Sequence, residues 1–527
     1  MRLKGVLQGL SVICLLPIAN ESVLAQESGQ IVGAVKDPSG AVIPNVTVTA
    51  TEAQTGFSRT SVTNAAGEYE LRSLRPTTYT VKAEASGFKK ITESDVRLEA
   101  NQSLTLNLML ELGQVTESVT IESNAVQVDT STSTLREVVD QSRIVELPLN
   151  GRNAANLTTI IPGAVSYPGT SVDQGITKTF PGQPVIASNG STAGTTSFQL
   201  DGNNNNDHYT QINQPFPAPD FLQEFSVQTS NYDAQYGSNA GAVVNAVTRS
   251  GTNEIHGTLF EFVRNGWFNA RNFFNQTPGA AADPLKRNQY GASFGGPVML
   301  PQYNGRNKTF IFMGWQESKI RTIQLSANAF VPTADELTGN FSTCGTACAK
   351  AIPDPLGGTF AGNKIPISRL DPVALNVSKF LPAATGTGLV FYGKRDVQDF
   401  DEGAAKFDHQ ITDKDRFSAR YFIDHFNRGE NLAPGNLLTY ADSARIRSQN
   451  ATVSETHILS PNVINEARIG WVRVLSSRLP PSASPDLHDL GMTINQQPTP
   501  KGLLGITVTG GWSRIGDELT AKFPRDN

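Results

Sequence analysis

The chain has 527 residues, a prior of roughly three to four domains. Its 43 Lys and Arg against 48 Asp and Glu give a net charge of -5, which excludes a globally basic nucleic-acid binder. A hydrophobic content of 38% excludes a wholly disordered chain, and three cysteines exclude a disulfide-dense scaffold or a multi-cysteine zinc cluster.

Residues 1–25 read as an export signal. Arg2 and Lys4 give a positive start, an apolar stretch runs from Val6 to Ile18, and Val23-Leu24-Ala25 supplies a cleavage site before Gln26. Cys14 lies inside the apolar stretch behind Ser11-Val12-Ile13, a poor lipidation motif. No later segment approaches about 18 consecutive apolar residues, so the mature chain has no transmembrane helix. An exported chain without a second helix is then either a soluble secreted β protein or, in lipid, a closed barrel.

Residues 29–112 read as a small β-sandwich. Ile31 to Val35, Val46 to Thr49, Glu68 to Leu71, Tyr79 to Ala83 and Leu104 to Leu108 are short strands, several with period-two alternation. Asp37-Pro38-Ser39-Gly40 and Thr63-Asn64-Ala65-Ala66-Gly67 are turns between them. Tyr69, Tyr79, Phe57 and Phe88 are read as core. The ordered runs Gly33 to Ala41, Pro44 to Val48, Thr63 to Tyr69, Tyr79 to Val81 and Ala85 to Lys89 resemble the carboxypeptidase regulatory-like domain. That resemblance implies a transthyretin-like β-sandwich. Such sandwiches are similar to carbohydrate-binding folds, which keeps open an alternative: a surface carbohydrate-binding or adhesion protein that uses this unit.

Residues 113–252 form a second zone. Glu117-Ser118-Val119-Thr120-Ile121 is a short extended segment, either a plain linker strand or a strand offered to a partner through main-chain hydrogen bonds. Further on come Ile144 to Asn153 (with Leu147-Pro148-Leu149-Asn150-Gly151-Arg152-Asn153), Phe198 to Asp207, Gln223 to Thr229, Asn231 to Gly237 and Gly241 to Asn253. This series resembles the plug of Oar-like TonB-dependent receptors, implying an α/β plug domain. In that family the segment Glu117 to Ile121 would be the TonB box, paired with a TonB-type energy-coupling protein in the periplasm. Asp201, Asn203, Asn205 and Asp207 put side-chain oxygens at alternate positions. A calcium loop would need Gly and Glu where Asn206 and Ile212 stand, so an Asn-rich turn is the reading and no metal site is assigned.

Residues 255–527 alternate most clearly. Phe407, His409 and Ile411 alternate with Lys406, Asp408 and Gln410; after Thr412 to Asp415, Phe417, Ala419, Tyr421 and Ile423 alternate with Arg416, Ser418 and Arg420. A second hairpin turns at Ser460-Pro461-Asn462. Tight turns alternate with long polar connections, read as 265–287, 321–403 and 427–446. Short turns on one side and long loops on the other mark an outer-membrane barrel. Phe260 to Asn265, Ala270 to Phe274 and Arg287 to Gly291 resemble the Oar-like barrel.

The fold class is therefore mainly β: a transthyretin-like sandwich, a plug, and the first part of a transmembrane antiparallel barrel. Family barrels have roughly 22 strands. Residues 255–527 hold roughly seven or eight at about ten residues each, and the chain ends Phe523 to Asn527 without a terminal aromatic. A fragment of a transporter is the expectation. Cys344 and Cys348 lie in the longest connection as Cys-Gly-Thr-Ala-Cys. Export makes a local disulfide the expected state, with free thiols as the alternative, and no His lies nearby to complete a metal site.

No His-Glu-x-x-His or Walker motif occurs, and the histidines at 208, 256, 409, 425, 457 and 488 are scattered. No enzyme and no cofactor are expected. The resemblance implies energised uptake at the cell outer membrane, contact with outer-membrane lipid, and an extracellular substrate that could be a siderophore, a glycan or a peptide.

Overall fold

The structure, a computed structural model, describes residues 28–113, 118–122, 134–167, 185–192, 194–208, 212–230, 232, 239–270, 284–343, 351–384, 386–460, 463–493, 505–508, 512–516 and 525–526. The signal segment, Glu117, Cys344 and Cys348 lie outside the described residues.

Two sheets build the N-terminal unit. In one, β1 (Gly29–Lys36) pairs antiparallel with β4 (Glu68–Leu74) and parallel with β7 (Ser103–Thr105) and β8 (Leu108–Met109). In the other the order is β3 (Ser58–Val62), β2 (Thr47–Glu52), β5 (Thr77–Glu84), β6 (Lys90–Leu98) and β9 (Ser118–Glu122). Alternate residues of both sheets, among them Ile31, Val48, Leu71, Val81 and Leu98, meet in one core with Tyr69 and Tyr79. Each contributes about 1.5–3 kcal/mol on burial. The turns form as their residues dictate. The Asp37 carboxylate accepts from the Ser39 and Ala41 amides at 2.9 and 3.0 Å, and Asn64 accepts from Ala66 and Glu68, both at 2.9 Å. One expectation is corrected. Leu104 to Leu108 is not a single strand. It breaks after Thr105, because the Tyr69 hydroxyl donates to the Leu106 carbonyl at 2.7 Å while the Leu106 amide is held by Val32.

The inner unit is a mixed sheet, in the order β10 (Leu135–Asp140), β15 (Leu222–Ser230), β16 (Val243–Thr248), β13 (Ser197–Leu200), β14 (Asn203–Asn204). Asp140 caps the short helix α1 (Gln141–Glu146) by accepting from the Arg143 amide. β11 (Ala164–Tyr167) and β12 (Val185–Ser188) form a small hairpin beside the sheet. The core holds Phe198, Leu200, Phe221, Phe225 and Val244, and continues into Phe312 and Phe422 of the outer wall.

That wall is an antiparallel sheet of eight strands in the order β17 (His256–Asn265), β18 (Lys286–Pro297), β21 (Thr309–Phe330), β22 (Leu389–Thr412), β23 (Asp415–Arg428), β26 (Ser443–Ser460), β27 (Val463–Leu479) and β28 (Arg525–Asp526). The sheet is open. Among the described residues, nothing pairs with the outer edges of β17 and β28. β19 (Met299–Leu300) and β20 (Tyr303–Asn304) make a small hairpin between β18 and β21.

Alternation along this wall is inverted relative to a soluble sheet. Leu259 (85% exposed), Ile469 (76%), Met313, Trp315, Phe294, Tyr421, Val453 and Trp471 face outward. Gln316, Ser318, Glu402, Lys406, Asp408 (1% exposed), Arg420, Ser448 and Asn450 are buried toward the inner unit. The outward residues interlock across the ladder, as in the row Phe294, Met313, Ala405, Tyr421, Ala451, Trp471. Only an apolar solvent makes this arrangement favourable, which is the lipid-facing pattern of a membrane barrel.

Two connections are shorter than their polar sequences imply. β21 runs on to Phe330 and β22 starts at Leu389, so the 321–403 connection contracts to 331–388. Within 427–446, β24 (Asn431–Ala433) and β25 (Asn436–Ala441) form a hairpin. Thr322 to Ala329 keep the polar and apolar alternation of a strand, while the facing run from Lys394 to Glu402 is rich in charge; there Asp399 pairs with Arg321 of β21 at 2.7 Å and Asp396 with Arg428 of β23 at 2.8 Å. The connection 331–388 has its own core with Val331, Val377, Leu437, Leu438, Leu487 and Leu490.

The short-turn end of the wall meets the sandwich. The Asn253 amide donates to the Gln54 carbonyl at 2.9 Å, the Phe57 and Phe310 rings lie 5.5 Å apart, and Arg75 pairs with buried Asp408.

Candidate functional site

The seam between the inner unit and the wall collects the distinctive motifs of the second zone. The run Leu147 to Asn153 leaves α1 through a tight backbone, with Gly151 and Arg152 both at positive φ (76° and 55°). This turn puts three groups on the wall. The Asn150 side-chain oxygen accepts from Arg264 and from Arg287, each at 3.0 Å. The Gly151 carbonyl accepts from Gln289 at 3.0 Å. The Arg152 guanidinium pairs with Asp220 and lies over the Phe262 and Phe260 rings, 4.1 and 4.9 Å from their centroids. The motif therefore tethers the inner unit to β17 and β18. The sequence marked it as distinctive but did not show what it holds.

The Asn-rich turn 201–207 makes a second tether. Buried Asp201 accepts from the Thr248 amide at 2.7 Å, the Thr248 hydroxyl at 2.6 Å and Arg420 Nε at 2.9 Å. Arg420 also donates to the Leu200 carbonyl at 2.9 Å and the Asn450 carbonyl at 2.7 Å. Asn203 donates to the Asn450 side chain at 2.9 Å, and Asn450 donates to Asn205 at 3.0 Å. Lys406 adds a second cation 3.6 Å from Asp201. Of the side-chain oxygens that sequence spacing placed together, those of Asp201 and Asn205 are thus engaged by arginine, amide and hydroxyl donors.

Close approach replaces hydrogen bonds at one point. A Cβ on Gly314 would lie 2.3 Å from the Phe221 ring, so only glycine lets this ring seat against β21.

Between the two tethers is a polar cavity of about 190 Å³. Arg152, Arg287, Gln289, Gln316, Glu402 and Asp424 line it, with Phe216 and Phe400. The Glu402 carboxylate accepts from the Ala218 amide at 3.0 Å and from Gln316 at 3.1 Å. Arg287 Nε, Arg152 Nε and Gln316 Oε1 are buried without a hydrogen-bond partner among the described residues. Unsatisfied buried donors and acceptors of this kind are what a polar solute or ordered water would engage.

At the opposite face the sandwich grips the inner unit. The Ala100 amide donates to Glu224 at 3.0 Å, and Arg136 of β10 donates to Glu99 at 2.9 Å and to the Ala100 carbonyl at 2.6 Å. Glu224 is buried, and that burial pushes its carboxyl up to about 7; the nearby Glu99 charge adds to the rise, while the Ala100 amide and Arg136 oppose it. Residues 118–121 of the extended segment fall within β9, paired with β6 of the sandwich. Residues 415, 455 and 457 bring Asp, Glu and His together near the short-turn end, where His457 pairs with Asp415.

An open antiparallel wall, apolar outside and polar inside, packed around an inner mixed sheet, defines an outer-membrane barrel with a plug. The chain belongs to the outer membrane beta barrel domain family, whose model matches residues 247–527, more than half of it. The carboxypeptidase regulatory-like domain model matches residues 30–111. These matches place the protein in the outer membrane.

The chain is 28% identical over 349 residues to the TonB-dependent transporter Oar of Myxococcus xanthus, a match covering 61% of this chain and 30% of that protein. Among solved structures it is similar to the outer membrane transporter YddB from Escherichia coli (11% identity, TM-score 0.42, 65% of this chain and 39% of that one). It is also similar to the siderophore receptor PirA from Acinetobacter baumannii (16% identity, TM-score 0.32, 65% and 48%).

Proposed function

We propose that this chain serves TonB-dependent, energised uptake across the outer membrane. The observation that supports this best is the seam between plug and wall. Beside the apolar contact of Phe221 with Phe312 and Gly314, its tethers are ion pairs and hydrogen bonds, which water can replace when they open. The polar share of such a seam lowers the cost of unmaking and remaking it. Glu117 to Ile121 is the coupling segment, taken by a TonB-type protein in the periplasm. The substrate is an extracellular solute with polar and charged groups, drawn from siderophores, glycans or peptides, and the polar cavity at the seam is its first inner contact. Cys344 and Cys348 close a local disulfide in the connection 331–388.

Uptake of labelled ferric siderophores, oligosaccharides and peptides by cells expressing the gene tests the proposal. At least one should accumulate, and accumulation should stop when residues 117–121 are deleted or the energy-coupling protein is removed. Accumulation that persists through both changes would refute energised transport.

A further inference from the structure

The coupling segment follows the sandwich in sequence, yet residues 118–122 pair within the sandwich sheet. β9 runs parallel to β6 over five consecutive residue pairs, from Lys90 with Ser118 to Ser94 with Glu122, with no bulge. β9 is therefore the terminal strand of a five-stranded sheet. Among the described residues, nothing pairs with its outer edge. An edge strand presents a row of main-chain donors and acceptors, and proteins usually blunt such edges with lysine, proline or a bulge. The sequence Ser-Val-Thr-Ile-Glu has no lysine, proline or bulge, its one charge is at its last residue, Glu122, and three of its five residues are β-branched.

We infer that the sandwich is a presenting template: it holds residues 118–122 as a preformed edge strand, and a periplasmic partner adds its own strand to that open edge. The inference rests on the coupling reading of Glu117 to Ile121. The partner is a protein that recognises an extended strand through main-chain hydrogen bonds, with loose demands on side chains. A preordered strand spares the partner the entropy of ordering a free segment. The partner strand, β9 and the sandwich then form one continuous sheet. A pull on it passes through β6 into the Ala100–Glu224 and Arg136–Glu99 contacts, and so into the plug.

The test locks the strand in place. Thr92 and Thr120 are directly paired, so T92C/T120C in the full chain should form a disulfide across the ladder. Binding of the energy-coupling protein's periplasmic domain is then measured for the oxidised and reduced forms and for a chain lacking residues 117–121. The template predicts efficient cross-linking, oxidised-form affinity equal to or up to severalfold above the reduced form, and loss of binding in the deletion. Absence of the cross-link, or a tenfold or greater loss of affinity on oxidation that reductant restores, overturns the template: the strand would then have to leave β6 to be used. Unchanged binding by the deletion overturns the coupling reading itself, and the template with it.

Discussion

Arg420 Nε donates to Asp201 at 2.9 Å across the seam between plug and wall, joining the middle of β23 to the turn after β13. Both side chains are buried, and Arg420 spends its other donors on the Leu200 and Asn450 carbonyls. A buried pair of this kind contributes little net stability when intact and costs much when one member is lost.

Arg420→Met should therefore destabilise plug seating by up to about 3–5 kcal/mol, because it leaves the buried Asp201 carboxylate with Lys406, 3.6 Å away, as its remaining cation. Removing both charges in D201N/R420M should cost less than the sum of the single changes. Urea unfolding of the four proteins of this cycle in detergent, followed by protease cleavage of the plug, measures the coupling. Additive costs would show that the two residues act independently.

Gly314→Ala should push Phe221 off the wall, an overpacking cost of about 1–3 kcal/mol. The second-site change F221L should recover part of it by withdrawing the ring. Thermal denaturation of the single and double variants reports this.

The lipid face sets a third expectation. Met313→Arg places a charge in the outward apolar row between Phe294 and Ala405, and should cost about 2–4 kcal/mol of folding into a bilayer. Ser318→Arg on the same strand faces inward and should leave bilayer insertion nearly unchanged while weakening the plug. Folding into lipid vesicles, read by gel mobility with and without heating, separates the two.

The Glu224 contact predicts a pH dependence. Its carboxyl titrates near 7 when docked and near the ordinary 4.5 when free. The docked state therefore binds more protons between these values. Docking of the sandwich on the plug is strongest at acid pH and weakens as the pH rises from about 4.5 through 7. Glu224→Gln keeps an acceptor for the Ala100 amide and loses the titration, so it should flatten this dependence. Protease release of the sandwich across that pH range is the measurement, and equal pH dependence in both proteins would count against the assignment.

Much of the fold was legible because the alternation of β-strands is written in residue order. Phe407 to Gln410 and Phe417 to Arg420 read as a hairpin, and the Asp37 and Asn64 turns read as turns, since each depends on neighbours in sequence. The upper part of β21 carries strand alternation from Thr322 to Ala329, but its partner in β22, the charged run Lys394 to Glu402, resembles a loop until the two strands are side by side. The break at Leu106 was missed for a similar reason: Tyr69 lies 37 residues away.

The seam was the least legible part. Asn150, Arg152, Asp201 and Asn203 were visible as motif residues, but their partners Arg264, Arg287, Arg420 and Asn450 sit one to several strands later. The sequence by itself determined the strand periodicity, the turns, the family resemblance and the polar character of one strand face. It could not say which face meets lipid, because alternation looks the same whether the apolar side faces a core or a bilayer. Only the tertiary structure decided that, by surrounding the charged face with the plug and leaving the apolar face without protein cover. It also decided where β9 sits, since the pairing of five main-chain residues with β6 is a through-space choice that no local propensity fixes.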